Sequence, residues 1–363
     1  MIRHDVRSRL GDYPVLIESG LLKGLPSLLS GMGWRSEGRV GLITNPVVYP
    51  LHGERIVKSL LSGDFRPETM LLPDGESHKT LGSVSSLLDQ LLALRWERRE
   101  PLLVLGGGVT GDMGGFAASI LLRGVPVVHI PSTVVAQVDS SVGGKTGVDH
   151  SMGKNLIGSF YPPKAVWIDP DLLLTLPLKE RRAGLGEVIK YAMIGNARLS
   201  DLLEKNIQRL GGEKFERDLW SAAISESVFE KSRIVSEDEH EGGLRMTLNF
   251  GHTFGHALEG ALGFGGMLHG EAVGLGMLLA SRVSERMGLS RGISERLLAL
   301  LKGAGLPYQW PKDVSIEDLK KFWGSDKKTQ GGRATIILPV SWGKVLMTRD
   351  YDLETVRQSL SDL

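Results

Sequence analysis

The sequence predicts an α/β domain with a mostly parallel, doubly wound sheet, followed by a mostly helical domain. Up to about residue 169, short apolar runs rich in β-branched residues alternate with helix-like segments. After Leu178, apolar residues recur at the 3.6-residue period of helices. Buried strands that alternate with helices are typical of parallel sheets covered on both faces. We therefore place one domain at residues 1–178 and a second at 179–363, and expect the functional site in the cleft between them.

Strands alternate with helices in the N-terminal half. Residues 4–18 alternate between apolar and polar side chains, which predicts an antiparallel hairpin on the sheet. The segments 54–62 and 80–95 have the apolar spacing of helices. Five apolar runs predict buried strands: RVGLITN (39–45), TMLLP (69–73), PLLVLGGG (101–108), PVVHIPS (126–132) and AVWID (165–169).

Helices dominate the C-terminal half. Two late apolar runs, ATIILPV and KVLMT, predict a strand pair, and residues 352–361 predict a final helix. The other predicted helices are 179–194, 199–210, 215–235, 252–262, 270–288, 293–303 and 316–323.

The composition argues against several classes of protein. Of the 363 residues, 43 are Lys or Arg and 42 are Asp or Glu, so the net charge is only +1. This balance argues against nucleic acid or an anionic membrane as the main partner. No apolar stretch reaches the ~18 residues of a membrane-spanning helix, and the first residues lack a secretory signal pattern. Cysteine is absent, which excludes disulfides and thiolate chemistry. We expect a cytoplasmic enzyme.

The glycine-rich run LLVLGGGVTGD lies between a predicted strand and a predicted helix. Gly106, Gly108 and Gly111 have the G-x-G-x-x-G spacing that lets backbone approach a pyrophosphate at a helix N-terminus. A tight turn without a ligand is the alternative, but the additional Gly107 and Asp112 favour a dinucleotide. No acid follows about 20 residues later to bind the ribose hydroxyls. The polar residues available at other strand ends are Asn45, Glu76 and Lys79.

A second polar, glycine-rich segment spans residues 138–158 and reads VDSSVGGKTGVDHSMGKNLIG. Its GGKT is similar to part of a P-loop, but that pattern needs a glycine where this chain has Asp139, so the pattern fails. Lys145 and Lys154 in this segment could bind an anionic substrate, and Asn155 is a further polar group. An ordinary surface loop is the alternative.

Three of the nine histidines, His252, His256 and His269, fall within 18 residues. On a helix, His252 and His256 share one face because they are four residues apart. Neutral imidazoles with one carboxylate form catalytic zinc sites that leave a coordination position open. Packing or capping histidines are the alternative, which the close spacing and the flanking glycines disfavour. The candidate carboxylates are Glu187, Glu259 and Glu271.

Several cations accompany these residues. Arg123 follows the predicted helix of the glycine run. The alternative for each cation taken alone is a solvent-exposed position on the surface of a helix. The cations of the helical half are Lys190, Lys231, Arg233 and Arg245.

Six motifs, in chain order, carry a resemblance to a known family. GGGVTGDMGGFAAS, DSSVGGKTG, GKNLIG, GEVIKY, LNFGHTFGHALE and LHGEAV resemble the 3-dehydroquinate synthases of the shikimate pathway, over roughly residues 39–340. The resemblance implies an NAD-dependent sugar phosphate cyclase that needs a divalent metal, zinc or cobalt. It also implies a Rossmann-like N-terminal domain, a helical metal-binding C-terminal domain and a homodimer.

The resemblance further implies roles for individual residues. Glu187, His252 and His269 would be the metal ligands, and His256 would face the substrate instead. Arg123 would reach the substrate phosphate from the partner subunit. The implied substrate-binding and catalytic set is otherwise Asp139, Lys145, Asn155, Lys190, Lys231, Arg245, Asn249 and Lys328. The implied NAD-binding set is Asn45, Glu76, Lys79, Gly106, Gly107, Gly108, Asp112, Ser132, Thr133, Asp139, Lys145, Lys154, Thr175 and Leu176.

The chemistry that the resemblance implies is redox-neutral overall. NAD transiently oxidises the carbon-5 hydroxyl of 3-deoxy-D-arabino-heptulosonate 7-phosphate, phosphate is eliminated, and the hydride returns before ring opening and an intramolecular aldol closure. Cyclases acting on sedoheptulose 7-phosphate or glucose 6-phosphate are one alternative, although they tend to lose the second histidine of GHTFGH. Metal-dependent polyol dehydrogenases are another, and they would accumulate NADH. A non-enzymatic NAD sensor is a third, which the complete polar set disfavours.

Overall fold

The computed structural model describes residues 1–263, 265–323 and 335–363. The chain divides into two units, Met1–Leu176 and Pro177–Leu363. Of the residues singled out above, Lys328 lies outside the described residues.

A seven-stranded sheet forms the centre of the first unit, with strand order β1-β2-β9-β6-β5-β3-β4. The strands from β2 to β4 in this order run parallel, and β1 pairs antiparallel with β2 at one edge. The predicted hairpin and the five predicted strands are therefore confirmed. The strands are β1 (Ile2–Val6), β2 (Tyr13–Ile17), β3 (Arg39–Thr44), β4 (Arg66–Leu71), β5 (Leu102–Gly106), β6 (Val127–Pro131) and β9 (Ala165–Ile168).

Two separate apolar cores cover the two faces of the sheet. The helices of the first unit are α1 (Leu25–Gly31), α2 (Glu54–Ser62), α3 (Leu81–Ala93) and α4 (Gly108–Ile120). Val104 of β5 packs in one core with α3 and α4, whereas its neighbours Leu103 and Leu105 pack in the other with α1 and α2. Successive side chains of a strand point to opposite faces, so helices lie on both sides. The prediction of a doubly wound sheet is confirmed.

The segment 138–158 forms mostly a hairpin rather than a simple surface loop. Its strands β7 (Lys145–His150) and β8 (Gly153–Phe160) pair antiparallel. Gly147 and Gly158 face each other across the ladder, and a methyl group on either one would overlap the opposite backbone. Sequence patterns missed this pair because its strands contain few apolar residues, so their alternation is weak.

The second unit is built around one buried helix, α9 (His269–Arg286). Around it pack α5 (Leu178–Ile194), α8 (His252–Ala261), α10 (Ile293–Ala304), α12 (Leu353–Ser361) and strand β10 (Ile336–Ser341). The remaining elements are α6 (Ala197–Leu210), α7 (Arg217–Glu237), α11 (Ile316–Trp323) and β11 (Lys344–Thr348), which pairs antiparallel with β10. Every element predicted for this half is present.

Among the described helices, none combines the length and the apolar character needed to cross a membrane.

Candidate functional site

Glycines bring α5, α8 and α9 into backbone contact. A Cβ on Gly186 of α5 would overlap the carbonyl group of Gly270 on α9. A Cβ on Gly276 of α9 would overlap the backbone of Gly251, the residue that precedes α8 with a left-handed φ of 82°. Close helix approach of this kind requires that no side chain intervenes, so the three helices cross with their backbones touching.

The residues next to these glycines are the three predicted metal ligands. Glu187 follows Gly186, His252 follows Gly251, and His269 precedes Gly270. Oε1 of Glu187 lies 3.4 Å from Nε2 of His252 and 3.2 Å from Nε2 of His269. The structure therefore brings together one carboxylate and two imidazoles from three different helices.

This arrangement fits a divalent metal ion. Ligand atoms that surround zinc tetrahedrally at about 2.0–2.2 Å are separated from one another by roughly 3.3 Å, and the two distances from Oε1 of Glu187 to the histidine nitrogens match this value. The Glu187 side chain is completely buried, and neither oxygen accepts a well-directed hydrogen bond from a described residue. Burial of such a carboxylate is costly unless a cation compensates it. Lys190 forms an ion pair with Oε2, so Oε1 remains for a further cation.

His256 offers an alternative ligand. The ligand nitrogens of His252, His256 and His269 all lie within 4.8 Å of one another. The ring of His256 is 5.3 Å from that of His252, centroid to centroid, and 5.6 Å from that of His269. The shorter separations to Glu187 favour the carboxylate as third ligand and leave His256 beside the site.

The charges within this cluster shift one another's protonation. Burial raises the pKa of Glu187, but Lys190 and His252 outweigh it and hold that pKa well below its usual range. Burial lowers the pKa of His252, which favours the neutral imidazole that a metal needs. Burial also lowers the pKa of His269, but its contacts with the carboxylates of Glu187 and Glu259 reverse the effect and raise it overall.

A small pocket opens beside the histidines. Its polar lining includes Asn249, whose Nδ2 donates to Oε1 of Glu241 at 2.7 Å. Glu241 adopts a left-handed φ of 64°, a conformation that costs energy for a residue with a side chain. Sequence reasoning missed Glu241 because it belongs to an acidic loop without periodicity. The pocket is lined by Met246, Asn249, His252, Thr253, His256, Thr335 and Ile337.

Three of the predicted cations are buried rather than solvated. Lys190, Lys231 and Arg245 expose at most 6% of their surface. The Arg245 guanidinium donates to the carbonyl of Glu239. Arg233, by contrast, is a surface residue in ion pairs with Glu230 and Glu237. Among the four cations of the helical half, the three that the resemblance placed at the substrate are buried and the fourth, Arg233, is not.

The glycine run lies at the point where the strand order of the sheet reverses. β5 ends at Gly106, α4 begins at Gly108, and β5 is adjacent to β3, which ends one residue before Asn45. A Cβ on Gly106 would overlap the side chain of Thr110. Open parallel sheets bind ligands at such reversal points, outside the carboxyl ends of their strands. The first unit therefore has the geometry of a dinucleotide site.

Polar residues from separate segments meet beside this run. Nζ of Lys79 lies 2.6 Å from Oδ2 of Asp112 and 2.6 Å from Oδ1 of Asn155. Burial lowers the pKa of Lys79, but the Asp112 carboxylate outweighs it and raises that pKa overall. Nδ2 of Asn45 donates to Asp74 at 2.9 Å. Asp74, which sequence reasoning missed, is an acid near the end of β4, the strand next to β3.

The other predicted residues are more dispersed. Lys154 pairs with Glu76 at 3.5 Å, and Thr175 contacts His52 at 2.7 Å. Arg123 follows the C-terminal end of α4, about 20 Å along the helix from the glycine run. The remaining predicted positions of the first unit are Ser132 and Thr133 after β6, Asp139 in a helical turn, Lys145 at the start of β7, and Leu176 at the end of the unit.

Known proteins resemble this chain along its whole length. Sequence profiles described as 3-dehydroquinate synthase N-terminal and C-terminal match residues 69–183 and 184–329. The 3-dehydroquinate synthase of Teredinibacter turnerae is 43% identical over 96% of both chains. That of a Picosynechococcus species is 44% identical over 89% of both.

A solved structure extends the likeness to the fold. The 2-epi-5-epi-valiolone synthase of Streptomyces hygroscopicus subsp. jinggangensis, with NAD+ and Zn2+ bound, is 28% identical, with a TM-score of 0.89 over 99% of both chains. Both matched profiles and both relatives carry the same family name, and together the profiles cover most of the chain. The chain belongs to the 3-dehydroquinate synthase family.

Proposed function

We propose that this protein is a phosphate-eliminating carbon–oxygen lyase that converts 3-deoxy-D-arabino-heptulosonate 7-phosphate to 3-dehydroquinate and phosphate. Family membership gives the reaction, and relatives named for it are 42–44% identical over most of the chain. The observation that carries the proposal is the convergence of Glu187, His252 and His269 beside a polar pocket. We propose NAD and a divalent ion, zinc or cobalt, as cofactors, and a cytoplasmic location.

The two cofactors would be held by different units. Glu187, His252 and His269 would hold the metal, and the backbone of the glycine run would hold the pyrophosphate. Bound NAD supplies a hydride acceptor and donor, and the metal supplies a Lewis acid. The Lys79–Asp112–Asn155 contacts fix the polar edge of the dinucleotide site.

The residues around the metal ligands would bind the substrate and manage its protons. His256 and Asn249 line the pocket beside the metal ligands, where they can hold or move a proton at a substrate hydroxyl. Lys190, Lys231 and Arg245 are buried cations suited to a substrate with a carboxylate and a phosphate. Because packing already fixes their positions, these cations would orient the substrate without any rearrangement of their own during the reaction.

We also propose a homodimer in which Arg123 contributes to the partner's site. Arg123 and the preceding Leu122 both have left-handed φ values, 64° and 49°. Two consecutive residues in this region are costly, and Ile120 and Leu122 expose apolar side chains beside them. A second copy covering this surface would offset both costs. The mass in solution, measured by light scattering for the wild type and for Leu122→Glu, tests the dimer.

Phosphate release tests the reaction. The purified, metal-loaded protein is incubated with NAD and 3-deoxy-D-arabino-heptulosonate 7-phosphate, while phosphate and NADH absorbance are followed. We expect repeated phosphate release with catalytic NAD and no accumulation of NADH. Release only from sedoheptulose 7-phosphate or glucose 6-phosphate would move the protein to another cyclase. Stoichiometric NADH from a polyol would identify a dehydrogenase and refute the proposal.

A further inference from the structure

The face of α8 that carries two histidines also carries a carboxylate. His252, His256 and Glu259 occupy positions i, i+4 and i+7 of the helix, so all three project from one side. Glu259 exposes only 8% of its surface. A carboxylate this buried needs a hydrogen-bonding or charged partner.

One partner of Glu259 is the far nitrogen of a proposed metal ligand. Oε2 of Glu259 lies 3.3 Å from Nδ1 of His269, whereas Nε2 of the same ring faces Glu187. The two nitrogens lie on opposite sides of the imidazole. Glu259 therefore contacts the side of the ring that points away from the proposed metal, which separates its role from that of Glu187.

The other ligand histidine is fixed in an equivalent way by the main chain. Nδ1 of His252 lies 3.2 Å from the carbonyl oxygen of Phe250. The His252 side chain is 12% exposed, so packing also holds it, whereas that of His269 is 36% exposed. His269 thus depends more on a hydrogen bond for its orientation, and a side chain supplies that bond.

We propose that Glu259 is a positioning residue for His269. It accepts the Nδ1 proton, so Nε2, which faces Glu187, would be the nitrogen that offers its lone pair to the metal. This proposal rests on the metal of the proposed function. A carboxylate behind a ligand histidine fixes its tautomer and ring orientation and strengthens it as a ligand.

A nearby glutamate provides the matched control. Oε2 of Glu271 accepts from the backbone N–H of Leu268 at 3.0 Å, which caps the first turn of α9. Glu271 therefore supports the backbone of His269, and Glu259 supports its ring. Glu271→Gln removes the same charge two residues from His269 without touching the imidazole.

The test measures zinc affinity of the full-length, metal-stripped protein by competition with a chromophoric chelator. We expect Glu259→Ala to weaken zinc binding about 10- to 100-fold. Glu259→Gln keeps an acceptor oxygen and should weaken binding less, whereas Glu271→Gln should leave it within about threefold of the wild type. Circular dichroism and the thermal midpoint of each variant check that the second unit, which carries Glu259 and Glu271, is folded.

A second measurement follows the Nδ1–H group of His269 directly. Nitrogen-15 spectra of histidine-labelled, zinc-loaded protein should show His269 protonated at Nδ1, with the chemical shift of a hydrogen-bonded N–H in the wild type and without that shift in Glu259→Ala. Wild-type affinity and an unchanged His269 signal in both Glu259 variants would overturn the proposal. If Glu259→Ala does not fold, Glu259→Gln decides by the same criteria. A wild-type protein that binds no zinc or cobalt would instead reject the metal itself, and this proposal with it.

Discussion

The contact between α5 and α9 predicts that one methyl group can weaken metal binding. In Gly270→Ala, the new Cβ would lie 2.7 Å from the carbonyl carbon of Ala183 and closer still to its oxygen. Ordinary contacts of a Cβ begin at about 3.4 Å. The two helices must therefore separate by at least about 0.7 Å, because backbone cannot rotate out of the way as a side chain can.

That separation would act directly on the proposed metal ligands. Glu187 is on α5 and His269 is on α9, so the 3.2 Å between their ligand atoms would widen. Metal–ligand distances tolerate only about 0.2 Å. Overpacking of this kind costs about 1–3 kcal/mol. If zinc binding must close the helices again, the same free energy lowers the affinity by roughly 5- to 150-fold.

Gly274→Ala is the control in the same helix. Its Cβ would meet only Cδ2 of Leu301, at 3.1 Å, and that side chain can shift. Zinc affinity from chelator competition and the thermal midpoint of the metal-free protein are measured for both variants. We expect Gly270→Ala to lose affinity and Gly274→Ala to retain it within about threefold. Equal affinities in the two variants would show that helix contact does not set the ligand spacing.

Three further outcomes follow from the same geometry. His269→Ala should lose bound metal and phosphate release together, measured by elemental analysis and enzyme assay; full activity would remove His269 from the ligand set. Lys190→Met should destabilise the metal-free protein by about 3–5 kcal/mol because Glu187 stays buried without its partner, and added zinc should recover part of the loss in a denaturant titration. Burial lowers the pKa of His129 to about 4, so the folded state binds fewer protons than the unfolded chain. The contribution of neutral His129 to the free energy of unfolding should be complete above pH 6.5 and fall by up to about 3 kcal/mol toward pH 4. In denaturant titrations, His129→Gln should show a smaller loss of stability over this pH range.

Sequence patterns predicted the elements whose apolar side chains repeat regularly. The runs that became β3, β5 and β6 are apolar because both faces of these strands are buried. The β7–β8 hairpin escaped prediction because contact between Gly147 and Gly158, not apolar alternation, is what shapes it.

The sequence predicted which residues belong to the candidate site better than it predicted how their side chains are arranged. The spacing of the histidines indicated a metal but left Glu187, Glu259 and Glu271 as equal candidates. The resemblance singled out Glu187, and the crossing of α5, α8 and α9 gives the physical distinction, because it places Glu187 at Nε2 of His269 and Glu259 at Nδ1. No local pattern encodes which of two ring nitrogens a distant carboxylate will face.

Because the proposed ligands lie on three helices, a bound ion would have a second role, as a cross-link. His269 follows Glu187 by 82 residues, and the chain has no cysteine with which to form a covalent bridge. An ion held by both residues would close a chain loop of that length. By the relation between loop length and entropy that is used for disulfides, closing this loop would stabilise the folded state by up to about 4.5 kcal/mol. Resistance to unfolding should therefore rise with the concentration of free metal, so metal supply would control the lifetime of the folded protein as well as its chemistry.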